Sequence, residues 1–433
     1  MPASPPPALT QFRIELGGNR IAHLVFDCPG RAVNVFSDAA IADLAAFVAW
    51  LPNAALRGVV IRSAKPGSFC AGTDLAELAA AHDAMAALPP HERFASAFDR
   101  FFRLSAAIRR LETAGTPVVA AIEGLALGAG CELAMATHHR VLARDPAAAF
   151  GLPDVLVGLL PGAGGTQRLP RLVGMRAALP VLLDAARLAD GEALDAGLAS
   201  ELAEPGDAVA RAEAWLLGDP EPVQPWDRAD WQPLPAAEVS AAIAPVRTRV
   251  LSKTLGHYPA PLAILDCFEF GLPQSLEGGI RSEAAIFAEL IQREEPRNMI
   301  ATMFTGRTDY ERLDRATALP TFVAEAVAAA RQAIRDSDTT SLAGAGFWGM
   351  GSAPPARTRT APGYWIDSNA PWAGPARVAV ARIDAALAPL AAGRTPAELR
   401  LLDYAIVNQA GYPAYLGGPF ARRAHAAEDQ SSA

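Results

Sequence analysis

Residues 113–172 read TAGTPVVAAIEGLALGAGCELAMATHHRVLARDPAAAFGLPDVLVGLLPGAGGTQRLPRL, and they decide the fold. The apolar run 117–122 is short enough to be a buried strand. It leads into a glycine-studded turn, and residues 131–136 then have the composition of an apolar helix. A strand, a turn of small residues and a helix in this order indicate an α/β unit.

Two carboxylates lie in this stretch. Glu132 sits at the apolar beginning of the predicted helix, and Asp154 follows Pro153 in the segment FGLPD. Carboxyl groups in apolar, glycine-rich surroundings are typical of general acid–base catalysis. A structural role for Asp154, as a helix N-cap or turn former, is the alternative. A purely structural Glu132 is disfavoured because an unpaired buried charge is costly.

An earlier stretch repeats the same design. Residues 58–63 have a buried-strand pattern, residues 64–74 form a turn rich in small side chains, and residues 75–81 have a helical pattern. Small turn residues let a backbone approach a ligand closely, and N–H groups near a helix start bind negative charge. Two such turns side by side would form a two-donor oxyanion hole. The alternative is that these residues only permit tight strand–helix packing.

Three motifs carry a resemblance to the crotonase superfamily, the enoyl-CoA hydratases and isomerases, over roughly residues 10–205. They are SFCAGTDLAEL (68–78), EGLALGAGCELAMA (123–136) and FGLPDVLVGLLPGAGGTQRLPRLVG (150–174). Three later segments resemble the region after the hydratase domain in the multifunctional fatty-acid oxidation α-subunits, which fuse a hydratase to a 3-hydroxyacyl-CoA dehydrogenase. These segments are VQPWD (223–227), YPAP (258–261) and RNMI (297–300).

The resemblance implies an α/β fold, a crotonase-like ββα spiral, followed by an α-helical C-terminal region. We expect a disordered tail over 1–10 and the hydratase-like domain over 11–217. A linker and helices packing on that domain are expected over 218–312. Residues 313–433 are expected to be a helical remnant of the dehydrogenase module, because residues 403–420 resemble its closing helix and GGPF segment.

The NAD-binding half of that module is expected to be missing. A Rossmann domain and a helical domain together need on the order of 300 residues, more than the chain has after Asp314. The pattern GxGxxG at 344–349 is weak, because neither a strand pattern before it nor a helix pattern after it is present. Because the NAD-binding half is expected to be missing, no dehydrogenase activity is expected. In the same part of the chain, Trp348 and Trp365 could line either a surface or a pocket.

The resemblance also implies the chemistry, which is syn addition of water across a 2-enoyl-CoA. It places the oxyanion donors at the backbone N–H groups of Ala71 and Ala129. Glu132 would activate the water, and Asp154 would help to position it and deliver a proton to the α-carbon.

Asp154 departs from the family, whose hydratases usually have Glu at the matching position. Asp is shorter by one carbon–carbon bond, about 1.5 Å, and misplacements of about 1 Å can lower a rate on the order of a hundredfold. Isomerases of the superfamily can work with one carboxylate. We prefer a hydratase and keep open an isomerase, a thioester hydrolase, and a weakly catalytic acyl-CoA-binding subunit that docks on a thiolase or dehydrogenase.

The remaining binding residues follow from the same motifs. Coenzyme A enters as part of the substrate, and no separate cofactor or metal is expected. Arg62, like Lys65, is a basic side chain that could bind the phosphates of coenzyme A. Asp74 could either bind coenzyme A or cap a helix. His138 and His139 are interpreted as the end of a helix. The residues expected to bind substrate or coenzyme A are Lys65, Gly72, Asp74, Leu75, Gly128, Pro153 and Gly162.

Composition narrows the class of protein. The net charge of −8 and the lack of a long basic run argue against a nucleic-acid partner. The 4 cysteines lack CxxC spacing and are expected to be reduced. No signal peptide or membrane-spanning window is evident. We therefore expect a soluble cytoplasmic enzyme, either a homo-oligomer or an associate of a thiolase or dehydrogenase.

Overall fold

The computed structural model describes residues 5–316, 319–337, 342, 345–346 and 373–424. Its strands are β1 Phe12–Leu16, β2 Ile21–Phe26, β3 Gly58–Ser63, β4 Ser68–Cys70, β5 Val118–Ile122, β6 Leu125–Leu127, β7 His139–Ala143, β8 Ala149–Gly151, β9 Arg187–Ala189 and β10 Glu201–Ala203.

The helices of the first part are α1 Asp38–Trp50, α2 Leu75–Ala86, α3 Pro90–Glu112, α4 Ala129–Met135, α5 Gly165–Val173, α6 Met175–Leu183, α7 Asp190–Asp195 and α8 Ala208–Leu216. Those of the later part are α9 Ala236–Thr254, α10 Pro259–Gly271, α11 Leu276–Leu290, α12 Glu294–Met299, α13 Arg307–Ala316, α14 Thr321–Arg335, α15 Ala373–Leu387 and α16 Pro396–Ala410. A π-helical segment, Ile300–Gly306, joins α12 to α13.

Two sheets carry the first part of the chain. The larger has the order β1-β2-β3-β5-β7-β10 and the smaller the order β4-β6-β8-β9. From β3 to β8, each successive pair of strands gives its first member to the larger sheet and its second to the smaller one. This is the ββα repeat, and it confirms the predicted fold class.

Local patterns were sufficient for several elements. The hairpin of β1 and β2 pairs antiparallel, with Phe12 opposite Phe26, and the two rings stack at 4.0 Å. Helix α1 begins where its N-cap predicts, because the Ser37 side chain accepts a hydrogen bond from the N–H of Ala40.

The chain divides into two compact units. Of the described residues, the first unit comprises those up to Val155, Leu159–Ile243 and Ala263–Gln292; the second comprises Leu156–Gly158, Ala244–Leu262 and those from Arg293 onward. The predicted segment 218–312 does not belong to one unit, because its residues are divided between the two. Its residues 263–292 belong to the first unit, and its residues 293–312 belong to the second.

The second unit is helical over its described residues. Its core is formed by α14, α15 and α16, with Val323, Val380 and Ile406 among its buried side chains. After residue 314, no strand occurs in the part of the chain that the structure describes. The motif at 344–349 lies outside the described residues apart from Ala345 and Gly346, and Trp348 and Trp365 lie outside them altogether.

The predicted disordered tail needs a correction at its end. Thr10 and Gln11 both donate backbone hydrogen bonds to Oδ2 of Asp43, at 2.7 and 2.6 Å. Asp43 lies on α1 and is buried. The ordered part of the chain therefore begins before β1, because the buried carboxylate of Asp43 binds the backbone of Thr10 and Gln11.

Candidate active site

Two turns meet at one edge of the smaller sheet. Strands β4 and β6 are adjacent and parallel, so the turns that follow them lie side by side. A Cβ atom added to Gly72 would lie 3.5 Å from the carbonyl oxygen of Leu127 and 3.8 Å from Cα of Gly128. Both glycines have positive φ, +101° and +49°, which explains why these positions favour glycine.

The two predicted oxyanion donors differ in availability. The N–H of Ala71 donates to the carbonyl oxygen of Asn34 at 2.8 Å. The prediction of Ala71 as a donor is therefore wrong, because its N–H is already paired within the protein. The N–H of Ala129 lies in the first turn of α4 and has no acceptor among the described residues.

The N–H of Thr73 is available where that of Ala71 is not. An isolated parallel bridge joins Thr73 to Phe36, and its hydrogen bonds use the carbonyl of Gly72 and the N–H of Asp74. Since successive residues of an extended chain direct their backbone groups to opposite sides, the N–H of Thr73 points away from Phe36. It has no acceptor among the residues that the structure describes.

Asn34 fixes the backbone around the first turn. Its amide nitrogen donates to the carbonyl oxygen of Phe26 and the hydroxyl of Ser63, both at 2.9 Å, and its Oδ1 accepts from the N–H of Cys28 at 3.0 Å. The side chain is fully buried. A buried polar side chain with all these partners fixes the segment whose carbonyl accepts from the N–H of Ala71, a role that sequence reasoning missed.

Glu132 lies within α4, where it is 2% exposed. Its Oε1 accepts hydrogen bonds from the backbone N–H groups of Ala163 and Gly165, both at 2.7 Å. A Cβ atom at Gly165 would lie 2.8 Å from this oxygen. The glycine-rich sequence after Asp154 is therefore required for close backbone approach to the carboxylate.

The protonation of Glu132 is strongly shifted. Burial raises its pKa well above the usual value, and the negative charges of Glu283 and Asp154 raise it further. The two backbone hydrogen bonds oppose this effect. A carboxyl group whose pKa is raised in this way holds its proton more readily than an exposed one, which suits a group that exchanges protons during a reaction.

Asp154 lies in a short 3-10 helix, Pro153–Val157, just after β8. A Cβ atom at Gly128 would lie 3.5 Å from its Oδ1 and 3.7 Å from its Oδ2, so the carboxylate faces the second turn. Its Oδ2 is inaccessible and has no hydrogen-bond partner among the residues that the structure describes. Burial raises the pKa of Asp154 to about 6. This unpaired oxygen favours the chemical interpretation of Asp154 over the structural one.

A third buried carboxylate, Glu283 on α11, was missed by sequence reasoning. Its Oε1 accepts from the N–H of Gly164 at 2.6 Å, and its Oε2 accepts from the N–H and hydroxyl of Thr166 at 2.9 and 2.5 Å. Burial raises its pKa to about 7. No local pattern in α11 marks this residue, because its partners lie more than a hundred positions earlier in the chain.

A buried ion pair supports the same turn. Nε and Nη2 of Arg168 donate to the two carboxylate oxygens of Glu112 at 3.0 and 2.8 Å, and both side chains are fully buried. Nη1 of Arg168 donates to the carbonyl oxygen of Ala163 at 3.0 Å. This carbonyl belongs to the residue whose N–H binds Glu132.

The basic residues predicted to bind coenzyme A have partners within the protein. Nζ of Lys65 lies 2.8 Å from Oδ1 of Asp27, and its side chain is 16% exposed. Nη2 of Arg62 donates to Oε2 of Glu15 at 2.6 Å. A phosphate group would have to compete with these carboxylates for either cation.

Asp74 is the N-cap of α2, whose first residue is Leu75. Its Oδ1 accepts from the N–H groups of Ala76 and Glu77 at 3.0 and 3.2 Å, and Nη2 of Arg31 donates to its Oδ2 at 2.5 Å. The capping alternative for Asp74 is therefore confirmed.

The remaining predicted residues are placed as follows. Pro153 begins the 3-10 helix of Asp154. A Cβ atom at Gly162 would lie 2.9 Å from the ring of Phe287. The interpretation of His138 and His139 as the end of a helix is wrong, because α4 ends at Met135 and His139 is the first residue of β7. Nδ1 of His138 accepts from the N–H of Val118 at 3.0 Å.

Two absences hold for the described residues. No group of three or more His, Cys, Asp or Glu side chains there is arranged to hold a metal ion. None of the helices there is both long enough and apolar enough to cross a membrane.

Comparisons with known proteins assign part of this chain to a family. Residues 17–216 match the family described as Enoyl-CoA hydratase/isomerase. Among curated proteins, the chain is 32% identical over 297 residues to the Fatty acid oxidation complex subunit alpha of Shewanella halifaxensis (strain HAW-EB4), covering 68% of this chain and 40% of the relative. The corresponding protein of Shewanella baltica (strain OS185) is 33% identical over 297 residues, covering 68% of this chain and 41% of the relative. The match thus spans about two fifths of these relatives' length.

Solved structures give related matches. DspI of Pseudomonas aeruginosa is 29% identical, with 48% of this chain and 74% of that chain covered and a TM-score of 0.42. Human mitochondrial delta3-delta2-enoyl-CoA isomerase is 21% identical, with 70% of this chain and 100% of that chain covered and a TM-score of 0.49. On the match of its sequence, the chain carries over residues 17–216 a domain of the enoyl-CoA hydratase/isomerase family, the crotonase superfamily.

Proposed function

We propose that this chain is an enoyl-CoA hydratase that adds water to 2-enoyl-CoA thioesters. The observation that carries the proposal is the pairing of Glu132, whose Oε1 accepts hydrogen bonds from two N–H groups, with Asp154, whose Oδ2 has no hydrogen-bond partner in the described part of the chain. Both carboxyl groups have raised pKa values. One group can therefore carry the proton while the other is ionised.

The proposed reaction proceeds in two steps. Ionised Glu132 takes a proton from water as the water oxygen bonds to the β-carbon of the enoyl group. The electrons of the double bond move towards the thioester, whose oxygen becomes negative. Protonated Asp154 then gives its proton to the α-carbon, and transfer of a proton from Glu132 to Asp154 restores the starting state.

The negative thioester oxygen needs donors. We place the N–H of Ala129 and that of Thr73 in this role, since both lack acceptors among the described residues and belong to neighbouring turns. Removal of one such donor typically lowers kcat on the order of 10²- to 10³-fold. In this proposal no cofactor is required, and coenzyme A arrives with the substrate.

An isomerase is the second candidate, and the short side chain of Asp154 favours it. Moving a proton between two carbons can be done by Glu132 alone, without a second carboxylate close to the α-carbon. A binding subunit that associates with a thiolase or dehydrogenase stays a prediction.

The test is hydration of crotonyl-CoA and of a longer 2-enoyl-CoA, measured as the loss of the conjugated thioester absorbance. Glu132→Gln keeps an oxygen for the two N–H groups and removes the base, so we expect its rate to fall about 10²- to 10⁴-fold. Asp154→Glu is measured beside it, and a faster rate would show that the shorter acid limits the reaction.

Other outcomes point to the alternatives. Gain of conjugated absorbance from a 3-enoyl-CoA, with no hydration, would favour the isomerase. No turnover in wild type or Asp154→Glu, with acyl-CoA binding intact, would favour the binding subunit.

A further inference from the structure

Two buried carboxylates share one turn. The four successive N–H groups of residues 163–166, here called the 163–166 turn, donate alternately to Glu132 and Glu283. The N–H groups of Ala163 and Gly165 bind Glu132, and those of Gly164 and Thr166 bind Glu283. The four distances lie between 2.6 and 2.9 Å.

The arrangement restricts the backbone from both sides. Gly164 has φ of +99°, a conformation that a residue with a side chain rarely adopts. The hydroxyl of Thr166 adds a further bond to Glu283 at 2.5 Å. A shift of Glu283 would therefore move Gly164 and Thr166. Because Gly164 lies between Ala163 and Gly165, the two N–H groups that bind Glu132 would move with it.

We propose that Glu283 is a positioning residue for the reaction: by binding Gly164 and Thr166 it fixes the 163–166 turn, and through that turn it sets the orientation and charge of Glu132. This inference rests on the proposed function, in which Glu132 is the base. In this proposal Glu283 contacts the turn and does not touch the substrate.

Electrostatics supports the same coupling. Two carboxylates in one buried site cannot both ionise cheaply, and the charge of Glu283 is, after burial, the largest cause that raises the pKa of Glu132. Other ionisable groups surround the pair from the packed elements. They are Cys131 on α4, Asp154 after β8, Arg168 and Arg171 on α5, Glu112 on α3 through Arg168, and Cys267 on α10.

The experiment compares three variants of the full chain. Glu283→Gln removes the negative charge, Glu283→Asp keeps the charge but withdraws it by about 1.5 Å, and Glu289→Gln is the matched control. Glu289 lies on the same helix and is exposed. The readouts are kcat and KM for crotonyl-CoA hydration as a function of pH.

We expect Glu283→Gln to move the acidic limb of kcat/KM to lower pH by about 1 pH unit, because Glu132 ionises more easily beside a neutral group. Glu283→Asp should leave that limb in place and lower kcat on the order of a hundredfold, through misplacement of the turn. Profiles of all three variants that match wild type would overturn the inference.

A second readout keeps the inference separate from the proposed function. Because folding raises the pKa of Glu283 from 4.5 to about 7, the stability of the folded protein falls as pH rises between those two values. The Tm of wild type should therefore fall over this range, and Glu283→Gln should reduce the fall while Glu289→Gln keeps it. If wild type shows no turnover, the hydratase proposal fails. An undiminished fall in Glu283→Gln would then overturn the coupling as well.

Discussion

Glu132 and Asp154 share a buried site but differ in their hydrogen bonds: Oε1 of Glu132 accepts two from the backbone, whereas Oδ2 of Asp154 accepts none from the residues described. A buried carboxylate oxygen without a donor is costly when it is charged. The ionised form of Asp154 is therefore disfavoured. The protonated form, which its proposed role as a proton donor requires, is favoured instead.

Replacing Asp154 by Asn should stabilise the protein at high pH and inactivate it. Burial raises the pKa of Asp154 to about 6 from 3.8, so its ionisation costs stability as pH rises between those values. The gain in Asp154→Asn should grow over this window to about 3 kcal/mol, since each pKa unit corresponds to about 1.4 kcal/mol. Thermal unfolding at several pH values measures it.

The control for this variant is Asp99→Asn, an exposed aspartate on α3. Its Tm should follow wild type at every pH. If Asp154→Asn gave the same curve as the control, the carboxylate of Asp154 would be solvated rather than unpaired.

Gly165→Ala should disable the site without unfolding the chain. The added methyl group would lie 2.8 Å from Oε1 of Glu132 and 2.7 Å from Cβ of Pro161. Displacement of Glu132 by about 1 Å should lower kcat on the order of a hundredfold, measured in the hydration assay. Gly191→Ala on α7 is the control, because nothing lies within 4 Å of its added Cβ atom; its kcat should be unchanged.

Local sequence patterns predict those parts of this protein that depend on near neighbours. Ser37 and the helix after it follow from a capping preference, and the β1–β2 hairpin follows from alternation around a glycine turn. Glu132 and Asp154 stand out because each is a lone carboxylate in an apolar, glycine-rich segment.

Contacts between distant segments could not be predicted in this way. The N–H of Ala71 is unavailable because Asn34, far earlier in the chain, accepts its hydrogen bond. Glu283 binds backbone groups 117 and 119 residues before it, and only the fold brings α11 to the 163–166 turn. Both facts depend on tertiary pairing, which leaves no signal in either segment alone.

Glu112→Gln should strongly destabilise the first unit. The substitution leaves the fully buried guanidinium of Arg168 without its ionic partner, and breaking a buried pair in this way costs about 3–5 kcal/mol. Denaturant unfolding measures the loss. Glu204→Gln is the control, since its contact with Arg144 is 3.8 Å long and its side chain is 74% exposed. That variant should change the free energy of unfolding by less than about 1 kcal/mol.

Thr73→Pro tests which backbone N–H stabilises the thioester oxygen. Proline removes the N–H of Thr73, which forms no hydrogen bond with the described residues, so the bridge to Phe36 loses none of its bonds. The preceding residue, Gly72, tolerates a following proline better than other residues do. We expect kcat to fall on the order of 10²- to 10³-fold with circular dichroism unchanged. Thr73→Ala, which keeps the N–H, should retain wild-type kcat. A Thr73→Pro variant that is folded and fully active would exclude this N–H from catalysis and leave Ala129 as the remaining donor.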